Sequence, residues 1–190
     1  MTYTTPTESA EFAVPHLSKG LKCVFGKFSG PEPSRLFLLS LALISAASLG
    51  YEILLMRLFS IIQWHHFAYM IISLALLGYG ASGTFLSILG DRFRRRFVEA
   101  YLTYAALFGV SAIGGFLLAQ KIAFNPLEIL WDPQQFLRLI GISGLLLLPF
   151  LCAASCVCLA LSEFREHLHR IYAVDLVGAG LGSLGVVLLL

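Results

Sequence analysis

Residues 136–161 read FLRLIGISGLLLLPFLCAASCVCLAL, with Arg138 as the one charged side chain in the stretch. A bilayer's hydrocarbon core, about 30 Å thick, is crossed by about 20 apolar residues in a helix. No water is available there to bond backbone N–H and C=O groups, so a crossing segment must satisfy them internally, as a helix does. The stretch is therefore expected to be a transmembrane helix. Pro149 lies inside it and lacks an N–H, which predicts a kink. Apolar runs at 36–59, 67–89, 98–119 and 172–190 repeat the pattern. Their continuity differs from the alternation of β-barrel strands, about 10 residues each. The expected fold is all-α: a polytopic transmembrane helical bundle of about five spans over residues 35–190, behind an N-terminal tail at 1–34.

Composition agrees. Hydrophobic residues make up 58% of the 190 and charged residues 13%, where soluble domains carry about 25% charged. A soluble fold so poor in polar side chains could not cover its own surface. Disordered, collagen-like and disulfide-scaffold classes are excluded as well, and a net charge of +2 makes no case for nucleic acid. The tail holds Pro6, Pro15, Pro31 and Pro33, and has no apolar core near Met1 of the kind a cleavable signal needs. Glu8 and Glu11 argue against a transit peptide. The tail reads as mostly flexible, with a short surface helix around 17–28 as the alternative.

Lys and Arg set the orientation. Lys19, Lys22, Lys27, Arg35, the run Arg92–Arg96, Arg165 and Arg170 fall on one side of the expected spans, against Lys121, Arg138 and Arg57 on the other. The positive-inside rule puts the first group, and the N-terminus, in the cytoplasm. The Arg92–Arg96 run is then a topology signal beside anionic lipid rather than a nucleic-acid patch. Trp64 and Trp131, with His65 and His66, fall on the opposite face as interface residues. Asn125-Pro126-Leu127-Glu128 and Asp132-Pro133-Gln134-Gln135 each combine a capping residue, a Pro suited to the first helical position and a Glu or Gln at the third. The first predicts a short interfacial helix ending near Trp131, the second the start of the fourth span. The last run stops at Leu190 without an anchoring side chain, so the chain reads as a truncated, transporter-like bundle.

Ionisable groups inside spans cost about 2.5–3.5 kcal/mol each on insertion scales and tend to mark function. Glu52, Arg57 and Asp175 qualify as candidate substrate-binding residues. Glu52 lies about 24 Å into its span and Arg57 further out; Asp175 lies only about 5 Å in and is expected to stand apart as an inner-leaflet clamp or helix-start charge. Glu52 and Arg57 are about 140° apart around one helix, so a bridge through a neighbouring helix suits them better than a direct pair. They form either a proton or solute site or a polar clamp with a snorkelling arginine. The adjacent His65 and His66 do not converge on a metal ion, and His167 and His169 read as an inner loop. Cys152, Cys156 and Cys158 lack zinc spacing and read as packing residues; Cys23 stands alone in the tail. Gly180, Gly182 and Gly185 spell a nucleotide-loop pattern, yet no strand–helix–strand context surrounds them. Gly178 and Gly182, like Gly78, Gly80, Gly83 and Ser82, are expected at close helix contacts. No catalytic constellation is present, and no cofactor or metal is expected in this chain.

Three segments, Gly50–Arg57, Trp64–Gly83 and Tyr172–Leu184, together resemble the N-terminal membrane region of bacterial spermidine synthase-like proteins. The matching positions are Tyr51, Glu52, Arg57, His66, Phe67, Gly80, Gly83, Asp175 and Gly178. The resemblance implies a transporter-like bundle in the bacterial inner membrane, joined to a downstream aminopropyltransferase-type Rossmann domain that binds decarboxylated S-adenosylmethionine and a polyamine. That domain is not in this chain, so none of its catalytic residues transfers. The expected function is a membrane module that anchors such a domain and handles a small cationic solute through Glu52 and Asp175. The alternatives are a transporter half using Glu52, and a structural membrane subunit packing through its small-residue faces.

Overall fold

The computed structural model describes residues 33–62, 66–94, 96–121 and 133–190. These form α1 (Arg35–Ile62), α2 (His66–Arg94), α3 (Phe97–Lys121), α4 (Pro133–Glu163), a 3-10 turn (Arg165–His167) and α5 (Leu168–Leu189). All five helices are long and apolar enough to cross a membrane. The protein is an all-α helical bundle, and its outward-facing leucines, such as Leu76, Leu117 and Leu181, present an apolar surface suited to lipid. The expected interfacial helix, Trp64, His65, Trp131, Cys23 and nearly all of the tail lie outside the described residues; His66 opens α2.

The helices overrun their apolar cores. Ser34 caps α1, its Oγ accepting the Phe37 N–H at 3.2 Å. Pro133 is the first residue of α4, where its missing N–H costs nothing. Two ends depart most from the sequence reading: α2 runs on to Arg94, five residues past the expected end at Leu89, and α5 starts four residues early. α5 begins at Leu168, so His169 and Arg170 belong to its first turn rather than to a loop. Only a 3-10 turn is left as connection, closed by the His167 N–H donating to the Phe164 carbonyl at 3.0 Å.

Neighbouring contacts fix the directions. Gly178 and Gly182 of α5 lie against Ala42 and Ala46 of α1, so these two helices are parallel. Ser40 and Tyr51 of α1 reach Tyr101 and the Ala112 carbonyl of α3, again in parallel. Ser143 and Gly78 place α2 parallel to α4, with Met70 beside Ser143 and Gly78 against Phe150. The Phe37–Phe164 and Tyr51–Phe150 ring contacts run α1 antiparallel to α4. The chain therefore threads up and down, with Arg35, Arg96, Arg165 and Arg170 at one end, the basic end. α4 is the hub: 56% of its apolar stretch is buried inside the protein, against 11% for α3 and for α5. It runs as one helix past Pro149, whose ring is buried.

An aromatic cluster closes the basic end. Phe37 packs on Phe97, Tyr101 and Phe164 with ring centroids 5.8, 5.1 and 5.1 Å away. Phe97 and Phe164 meet edge to face, the arrangement favoured by ring quadrupoles.

Candidate functional site

On α1, residues 41, 45, 48, 52, 55 and 59 follow the i, i+3/i+4 spacing of a single helix face. That face is buried: Leu41, Leu55 and Phe59 supply its apolar parts, and Ser45 and Ser48 are only 3% and 2% exposed. Glu52 is partly buried on the same stripe. Three polar side chains therefore line the inner face of a membrane helix, within about 10 Å of helix rise.

The opposing helices answer them. The Ser45 Oγ donates to Asp175 Oδ1 of α5 at 2.5 Å and also stands 3.0 Å from the Leu41 carbonyl oxygen. A hydroxyl carries one proton, so an ionised Asp175 and the Leu41 carbonyl compete for it. Ser48 Oγ lies 3.4 Å from the Tyr79 hydroxyl of α2, and Ser82 Oγ lies 3.8 Å from the Cys158 thiol of α4. Tyr79 interacts electrostatically with Asp175, Glu52 and Cys158. The stripe thus gathers two carboxyl groups, four hydroxyls and a thiol from four helices.

This changes the grouping expected from sequence. Asp175 does not stand apart near the inner surface: its carboxyl reaches Ser45, about 15 Å along α1 from Arg35. The early start of α5 at Leu168 carries it that deep. Arg57 is exposed and off the stripe, its carbonyl accepting a bond from Ser60 Oγ at 2.8 Å. Glu52 is therefore grouped with Tyr79 rather than with Arg57. Ser45, Ser48 and Tyr79 were missed by the sequence reading. The Ser-x2-Ser-x3-Glu spacing was the available signal, since it repeats the helical period with polar residues.

The glycines divide into two sets. A Cβ on Gly182 would come 2.2 Å from the Ala46 carbonyl oxygen, and one on Gly178 would come 2.4 Å from that of Ala42. One on Gly78 would come 2.8 Å from Phe150 Cβ. These three hold helix backbones together, and the α5 seam is what sets Asp175 against Ser45. Gly80 and Gly83 depart from expectation: nothing lies within 4 Å of a Cβ there, because they turn away from α4. Gly180 and Gly185 of the nucleotide-loop pattern are equally open and lie within a helix. Cys156 is buried, 3.8 Å from the Tyr101 carbonyl, and no group of three or more His, Cys, Asp or Glu among the described residues is placed to hold a metal ion. Comparison with protein-family models, curated proteins and solved structures finds no match to this chain.

Proposed function

We propose that this chain is a membrane-embedded module that binds and passes a small cation, a proton or an organic ammonium, along the Asp175–Tyr79–Glu52 stripe. The observation that carries the reading is the Ser45–Asp175 hydrogen bond at 2.5 Å within a stripe that also holds Glu52. Carboxyl groups inside a membrane are costly and are kept where they transfer protons or bind cations. The described side chains of the stripe include two acids and no base, so an entering cation would meet complementary charge. The resemblance to the membrane region of bacterial spermidine synthase-like proteins supports the same solute class. In that setting the module lies in the inner membrane, anchors a synthase-like domain and handles a polyamine.

The test uses the full chain in proteoliposomes. Spermidine uptake and proton flux are followed for the unmodified protein, Glu52→Gln and Asp175→Asn. Both variants should insert normally and lose at least about tenfold in flux. Full flux in Glu52→Gln removes Glu52 from the pathway. No flux above empty liposomes in the unmodified protein favours a structural subunit.

A further inference from the structure

A groove of about 430 Å³ runs between the basic-end halves of α1 and α5. Leu38 and Leu39 form one wall, Ala173, Val174 and Val177 the other, and Arg35 stands at its end. The groove exists because the helices touch backbone to backbone at Gly178 and Ala42, while the small Ala173 leaves the space beside the contact unfilled. Its size is that of an ordinary ligand pocket, about 300–1,000 Å³. Apart from Arg35 its lining is entirely hydrocarbon.

Arg35 lines the groove, and Arg170 lies one helical turn before its α5 wall. Arg35 precedes Leu38 and Leu39 by three and four residues, and Arg170 precedes Ala173 and Val174 by the same intervals. Each arginine therefore shares a helix face with the wall below it. In the register that sets Gly178 on Ala42 and Gly182 on Ala46, Arg35 is level with Ile171, next to Arg170. Both arginines are exposed, and neither makes an ion pair with a described residue. Two guanidinium groups at the membrane boundary above an apolar slot along the helices match the layout of one molecule, an anionic phospholipid. Guanidinium binds phosphate through parallel N–H···O bonds, and the slot takes a hydrocarbon tail.

We infer that the α1–α5 groove binds an anionic phospholipid, its phosphate between Arg35 and Arg170 and one acyl chain along Leu39, Ala173 and Val177. The groove flanks the Ala42–Gly178 contact, and the site does not depend on what the polar stripe does.

The test is native mass spectrometry of the full chain, released from micelles containing equal phosphatidylglycerol and phosphatidylcholine with identical acyl chains. The unmodified protein should retain phosphatidylglycerol by about tenfold or more over phosphatidylcholine, the preference expected of two basic groups at the headgroup level. The double variant Arg35→Gln, Arg170→Gln should retain both lipids equally. Ala173→Phe, which fills the slot from an exposed position, should lose the retained lipid. Equal retention by the unmodified protein overturns the site. So does a preference that survives the double arginine variant, which would assign the lipid to the Arg92–Arg96 run, or full retention in Ala173→Phe. If either variant fails to elute as a single species, glycerophosphoglycerol, the headgroup without tails, is added in tenfold excess to the unmodified protein. Lipid that stays bound supports a tail-binding groove, and lipid that is displaced overturns it.

Discussion

Ser45 and Asp175 meet across the α1–α5 seam with 2.5 Å between Oγ and Oδ1, while the same Oγ lies 3.0 Å from the Leu41 carbonyl. One hydroxyl proton thus faces two acceptors, and a donor at position 175 completes the network. Asp175→Asn supplies that donor through its amide and should leave the midpoint of thermal unfolding in detergent unchanged or slightly raised. Ser45→Ala removes the interhelical bond and should cost about 1 kcal/mol, the scale of such bonds in membranes. A double-mutant cycle of Ser45→Ala with Asp175→Ala measures the coupling; a value near zero would mean that the pair does not hold the seam.

The glycine seam should be intolerant where it is tight and indifferent where it is open. Gly182→Ala places a methyl carbon against the Ala46 backbone, which cannot swing aside as a side chain can. The helices must separate, at about 1–3 kcal/mol. Gly180→Ala, two residues away on the open face, should be neutral or mildly stabilising, since alanine favours helix over glycine. Thermal unfolding of the two variants side by side decides the matter, and equal midpoints would contradict the packing.

The aromatic cluster at the basic end should contribute through contact rather than through escape from water. Phe37 is fully buried and touches three rings. In lipid the transfer part of a Phe→Ala penalty is largely absent and the cavity part remains. Phe37→Ala is expected to lower stability by on the order of 2 kcal/mol, measured as a fall in unfolding midpoint. Leu39→Ala, on the outward face, should change it little.

Orientation can be read by labelling. In a background without the native cysteines, Lys121→Cys should react with a membrane-impermeant maleimide in intact cells, and Arg96→Cys only after permeabilisation. Both positions are exposed at opposite ends of α3. The opposite pattern would reverse the sidedness inferred from the basic residues.

What could be read from the chain alone was whatever depends on solvent and on local backbone chemistry. Uninterrupted apolar runs such as 136–161 demand helices in lipid whatever their neighbours, and Pro133 marked the first residue of α4 because a helix start tolerates its missing N–H. Small residues at i and i+4 marked Gly178 and Gly182 as a contact face, although the same composition at Gly80 and Gly83 lies open. Composition records that a helix can be approached closely; which neighbour approaches, and on which face, depends on rotation and register. The same limit applies to the polar stripe. Glu52 and Asp175 stood out singly because a charge in hydrocarbon is costly wherever it is placed. Their gathering beside Ser45, Ser48 and Tyr79 arises only when α5 returns parallel to α1 and α2 runs antiparallel beside it. Hydrogen bonds between residues 130 positions apart in the chain leave no local trace, since they are settled by side-chain packing between helices.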